Sequence, residues 1–152
     1  MDVSYINPFV SSTISTFKTM LNKDIQPGKI VLKTDPYPTY DVSGIIGLSG
    51  NAQGTIALSF GKIVALRVVS GMLGMEIKII GPELTDGIGE LANIIAGYAK
   101  KDLTKYRLSI SLPNVIVGRN HIINSPTGAH TIIVPFTSPI GDFCMEVSLK
   151  TP

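Results

Sequence analysis

Three polar side chains in one stretch of this 152-residue chain, Asp86, Glu90 and Asn93, stand at the spacing of a helix face. They lie at i, i+4 and i+7, so the carboxylate of Glu90 and the carboxamide of Asn93 project one turn apart from the same side. An amide both donates to and accepts from a water molecule, whereas an ionised carboxylate only accepts. On their own the two make a poor active site, because the stretch supplies no nucleophile and no metal cage. They suit a different task, completing a site that another molecule carries. Gly87 and Gly89 precede Glu90, and Gly97 sits on the same face one turn beyond Asn93. Each glycine costs a helix about 1 kcal/mol relative to alanine, so stability does not select them. Small residues beside two fixed polar groups let another backbone approach closely. A plain surface helix with acidic residues near its N-terminus, where they suit the helix dipole, accounts for the same letters.

The element that must position these residues runs from Pro82 to Thr104 and reads as one long helix. Leu84, Ile88, Leu91, Ala92, Ile95, Tyr98 and Ala99 fall on one stripe that would cover a core, with Asp86, Glu90, Asn93 and Gly97 opposite. A first helix is expected from Asn7 to Asn22, with Asn7 as cap and Pro8 in the first turn. Gln26-Pro27-Gly28 reads as a turn, Lys29 to Lys33 as a short strand, and Asp35 to Pro38 as a loop kept extended by proline. Asp41 to Gly50 and Gly54 to Phe60 read as a hairpin, followed by a helix from Lys62 to Met72 that Gly74 stops. Leu108 to Leu112 and Val115 to Gly118 are expected strands, and His130 to Phe136 with Asp142 to Leu149 a closing hairpin. Gly118 to Ala129 is a polar loop without assignable chemistry. Each half of the chain reads as a helix, a strand and an antiparallel pair. Overlaying the halves puts Ser15 and Lys18 where Glu90 and Asn93 stand, which suggests a pseudo-twofold repeat with one set of polar groups kept. The expected fold is α+β, a two-layer sandwich of a mostly antiparallel sheet with helices on one face, in a single domain spanning residues 1–152.

Composition narrows the partners. The 13 basic and 11 acidic residues give a net charge of +2 and are scattered, with no basic run longer than Lys100-Lys101. Nothing marks a nucleic-acid surface. No segment has membrane-spanning length, and Met1 to Leu21 lacks the basic start of a secretory signal. One cysteine, Cys144, precludes an internal disulfide and fits a reducing, cytoplasmic setting. With 44% hydrophobic and 16% charged residues the chain is apolar for a monomer, which favours self-association.

Other chemistry-bearing residues do not converge. Alternation along Phe143 to Leu149 puts Cys144 on a strand face with Glu146 and Ser148, as a half-buried or interface cysteine. His121 and His130 read as surface residues without metal-ligand spacing. Gly61-Lys62 fails the phosphate-loop pattern on both sides.

The run Asp86-x-x-x-Glu90-x-x-Asn93, followed by Ile94-Ile95-Ala96-Gly97, resembles the signature of the CheC/CheX/FliY group of chemotaxis phosphatases. The opening Tyr5-Ile6-Asn7-Pro8-Phe9, the strand Gly54 to Ser59 and the strand Phe143 to Leu149 follow in the order of the CheX branch, so the resemblance spans essentially the whole chain. It implies a protein that removes the phosphoryl group from the aspartate of a CheY-like response regulator. Asn93 would orient the attacking water, and Glu90 would pair with the regulator's active-site lysine. Asp86 would shape the helix start or support the contact, and Gly89 and Gly97 would allow close approach. The resemblance further implies no cofactor of its own, with Mg2+ carried by the regulator, and a homodimer. Two rivals keep the same residues: a regulator-binding adaptor of the flagellar switch or receptor array without catalysis, and a small-molecule binding domain.

Overall fold

Phe143 marks the centre of the fold. Its ring stacks on Phe17 at 4.8 Å between centroids, on Phe60 at 5.0 Å and on Phe136 at 5.1 Å, joining a helix to three strands. The computed structural model describes residues 4–118, 126 and 128–151. Its order is α1 (Ile6–Leu21), β1 (Gln26–Pro27), β2 (Val31–Leu32), β3 (Val42–Ser49), β4 (Gln53–Phe60), α2 (Lys62–Leu73), α3 (Pro82–Lys101), a 3-10 turn (Thr104–Tyr106), β5 (Ser109–Ile110), β6 (Asn114–Val117), β7 (Thr131–Thr137) and β8 (Phe143–Lys150).

All strand pairs are antiparallel, in the order β1-β7-β8-β4-β3-β5, with β2 also on β7 and β6 also on β3. The period-two pattern fixes the faces. Val42, Ile46, Ile56, Leu58, Phe60, Val134, Phe136, Phe143, Met145 and Val147 form a buried layer beneath the helices. α3 packs tightly on the sheet at Gly44, where an added Cβ would lie 2.9 Å from Ile88 Cγ2. On its other flank it meets α2 at Gly87, where a Cβ would lie 2.7 Å from Val69 Cγ1. α1 lies alongside α3, and the buried Ser12 hydroxyl donates to the Ile95 carbonyl at 2.7 Å.

The expected α+β architecture is what forms, with local corrections. α1 begins at Ile6 with Tyr5 at the cap position and no side-chain cap, so Asn7 is not the cap. Pro8 is tolerated because amides of the first turn have no helical acceptor. α3 ends at Lys101 instead of Thr104, and the chain continues into the 3-10 turn. Gln26-Pro27, read as a turn, pairs with β7. Tyr98, placed on the core stripe, is 56% exposed, while Ala96 is buried. The side of α3 toward α1 opens into a groove, and the ring stays at its rim.

The sheet face away from the helices is also covered. Residues 33–40 run across it as a strap: Lys33 Nζ pairs with Glu146 Oε1 at 2.7 Å, the Thr39 hydroxyl donates to the same oxygen at 3.2 Å, and the Tyr40 amide donates to Ser59 Oγ at 2.8 Å. Cys144 shares that face with Glu146 and Ser148 as expected, but it is fully buried, because the strap closes over it. His130 is exposed, as expected, whereas His121 and most of the loop from Gly118 to Ala129 lie outside the described residues.

Candidate functional site

α3 forms because its apolar residues meet three neighbours at once, α1, α2 and the sheet, with Pro82 in its first turn, Glu83 near its N-terminus and Lys100 and Lys101 in its last turn. What remains unpacked is a narrow strip containing Asp86, Glu90 and Asn93. Asp86 and Glu90 are exposed and Asn93 is half-buried. Among the described residues none of the three side chains has a hydrogen-bond or ion-pair partner. A carboxylate and an amide left unpaired on a helix anchored on three sides are held in place without being used by the fold.

The strip is a ridge between two depressions. On the α1 side lies a groove of about 820 Å³, walled by Ile94, Gly97, Tyr98 and Lys101 of α3 and by Ser15 and Thr19 among others of α1. On the β6 side lies a cleft of about 450 Å³, lined by Thr85, Asp86, Gly89, Glu90, Pro113 and Val115. Asp86 and Glu90 therefore share one cleft wall, and Asn93 stands beyond it along the same helix face.

The glycines divide. A Cβ at Gly97 would meet nothing within 4 Å, so that position leaves open space at the groove. Gly89 is buried, and its Cβ would lie 3.4 Å from both Pro113 Cγ and Val115 Cγ2, so its smallness serves the packing of α3 over β6 as well as the cleft floor. On α1, Ser15 and Lys18 are both exposed, and Lys18 is drawn to Asp24 at 3.3 Å. The groove and Pro113 escape a reading of the sequence, because they depend on which elements become neighbours.

Among the described residues no group of three or more His, Cys, Asp or Glu side chains is placed to hold a metal ion. Cys144 is no nucleophile: burial pushes its thiol from 9.0 up to about 12, with Glu146 adding to the rise and the Thr39 hydroxyl opposing it. Among the described residues no helix is long and apolar enough to cross a membrane.

An open antiparallel sheet under three helices, with an unpaired carboxylate and amide on the outer ridge of the longest helix, defines an α+β domain that presents polar groups outward. The family model described as Chemotaxis phosphatase CheX matches residues 42–137, and the chain belongs to that family. It is 30% identical over 128 residues to the CheY-P phosphatase CheX of Thermotoga maritima, covering 82% of this chain and 83% of that protein. The crystal structure of the chemotaxis protein CheX from Desulfovibrio desulfuricans superimposes with a TM-score of 0.86 at 32% identity, over 97% of this chain and 100% of that one. The CheX chain of the CheX-CheY-BeF3-Mg2+ complex from Borrelia burgdorferi does so with a TM-score of 0.79 at 29% identity, over 98% and 99%.

Proposed function

We propose that this protein hydrolyses the aspartyl phosphate of a CheY-like response regulator by inserting Glu90 and Asn93 into the regulator's active site. The observation that carries this reading is the outer ridge of α3, where Glu90 is exposed, Asn93 is half-buried, and neither side chain has a partner among the described residues, with a depression on either flank. The names of the Thermotoga and Borrelia relatives support the choice of substrate, since one is a CheY-P phosphatase and the other is seen with CheY.

Water attacks the phosphorus in line, the bond from phosphorus to the aspartyl oxygen breaks, and inorganic phosphate and a free carboxylate result. Asn93 accepts a hydrogen bond from that water and holds it on the line of attack, a positioning effect worth about a hundredfold in rate. Glu90 accepts from the regulator's lysine and sets the docking register. Asp86 stands on the same cleft wall and supports the contact electrostatically, and Gly97 leaves room for the partner at the groove. Mg2+, present in the Borrelia complex, would belong to the regulator and neutralise the phosphoryl oxygens there. The protein works in the cytoplasm as a homodimer, in line with its apolar composition.

The test is the decay of a phosphorylated CheY-type regulator with wild-type protein and with Asn93→Ala. Wild type should accelerate decay, and Asn93→Ala should lose about a hundredfold of that acceleration while still binding. Equal acceleration by both proteins would refute the role of Asn93. No acceleration by either, with binding demonstrated, would leave an adaptor.

A further inference from the structure

We propose that the end of α3 and the turn after it form a basic docking patch for the acidic rim of the regulator's phosphorylation site. The patch deepens the proposed function and rests on it.

Basic residues are scattered over the chain as a whole, but four of the 13, Lys100, Lys101, Lys105 and Arg107, fall within eight residues that hold a single carboxylate, Asp102. All four are exposed, and none has an ion-pair partner among the described residues. Two are braced instead on aromatic rings: Lys101 Nζ lies 4.8 Å from the Tyr98 centroid, and Lys105 Nζ lies 4.9 Å from that of Tyr106. Short-range backbone bonds, with Asp102 donating to Ala99, Leu103 to Lys100, Tyr106 to Leu103 and Arg107 to Thr104, keep the segment compact. The helix dipole accounts for Lys100 and Lys101 but not for Lys105 and Arg107, which follow the helix. Arg107 also has φ of 50°, in the left-handed region. The other described non-glycine residue at positive φ is Asn22, a type that tolerates this conformation, whereas arginine has no such preference. An arginine held there is kept for its side chain.

Position and charge select the partner. Lys100 stands at i+7 from Asn93, on the same helix face and about 10 Å farther along the axis. Whatever receives Glu90 and Asn93 therefore meets the patch at its rim. A regulator site that carries a phosphoryl group and Mg2+ is rich in carboxylates, because oxygen ligands hold the metal. Apart from the lysine that receives Glu90, such a site repels the acidic ridge, and the patch supplies the attraction that the ridge lacks. A nucleic acid or an anionic membrane would meet the same acidic ridge with no lysine to receive Glu90. A second copy meeting this patch with its own across a twofold axis would oppose like charges.

The test measures binding of a CheY-type regulator, activated with BeF3− and Mg2+, to the full chain at two salt concentrations, so that docking is read apart from hydrolysis. Lys105→Glu with Arg107→Glu should weaken binding about tenfold at about 0.02 M salt and only about twofold at about 0.5 M. Lys29→Glu with Lys62→Glu makes the same change of net charge on exposed residues elsewhere, between β1 and β2 and at the start of α2, and should cost less than about threefold. Arg107→Gly relieves the left-handed backbone, so it should melt no lower than wild type yet bind about threefold more weakly. Equal losses in the two double variants would reduce the effect to net charge and overturn the patch. Unchanged affinity in Arg107→Gly and in Lys105→Glu with Arg107→Glu, with wild type binding, would overturn the patch and leave the proposed function standing. Wild type that neither binds the regulator nor speeds its decay would overturn both. Salt-sensitive binding of duplex DNA or phosphatidylserine vesicles by wild type, lost in Lys105→Glu with Arg107→Glu, would give the patch to that partner and overturn the assignment.

Discussion

Gly97 offers a measurement in which stability and function move in opposite directions. A Cβ at this position meets nothing within 4 Å, and its φ is not in the left-handed region, so alanine fits without strain. Gly97→Ala removes the conformational freedom that glycine gives the unfolded chain and should stabilise by about 1 kcal/mol. For a chain of this size that raises the melting temperature by roughly 2–4 °C. Gly97→Gln keeps most of this gain and sends a long side chain into the groove one turn from Asn93. Under the proposed function it should therefore melt no lower than wild type yet dephosphorylate the regulator more slowly at low concentration, through a raised KM. Gly87→Ala is the control, since its Cβ would lie 2.7 Å from Val69 Cγ1 in the packed seam between α2 and α3. Overpacking there should cost about 1–3 kcal/mol. The assay pairs calorimetric melting with regulator decay for the three variants. A lower melting temperature for Gly97→Ala would refute the open groove, and unchanged KM in Gly97→Gln would refute its part in docking.

Two further outcomes follow from the interior. Phe143→Ala empties the centre of the aromatic stack and should lower stability by about 3–5 kcal/mol, measured as a fall in the urea midpoint multiplied by the slope. Cys144 should resist thiol reagents in the native protein and react once unfolded. Because its folded thiol titrates near 12 against 9.0 ordinarily, the unfolded chain releases this proton first. Its contribution is thus fully present below pH 9 and is lost as pH rises toward 12. Subtracting the unfolding curve of Cys144→Ala from that of wild type between pH 8 and 10 should expose this slope; parallel curves would contradict it.

The ridge was legible in the sequence because it is local: Asp86, Glu90 and Asn93 lie within two turns of one helix, and helical period alone puts them together. The alternating strands were legible for the same reason, since each hairpin partner is close in the chain. Tyr98 was misplaced because period predicts which residues share a face, not where a neighbouring helix stands, and α1 leaves that flank open. The burial of Cys144 was hidden too. Its cover comes from Lys33 and Thr39, far away in the chain, so the Cys-x-Glu-x-Ser alternation that reads as a half-buried or interface face is an interior polar layer. The pairing of Gln26-Pro27 was missed because a proline beside glycine reads as a turn, whereas an edge position leaves the missing amide harmless.

The ridge has a consequence for inhibition and for evolution. Side chains on an open helix face do not enclose a small phosphorylated metabolite, so under the proposed reading selectivity is delegated to the topography of a whole partner. A drug-like molecule would gain little by plugging Glu90 and Asn93 and more by wedging into the flanking groove. Retargeting to a different regulator would likewise require changes only in the flanks, Ser15, Thr19, Lys101 or Pro113, while the two reactive side chains and the aromatic interior beneath them stay untouched.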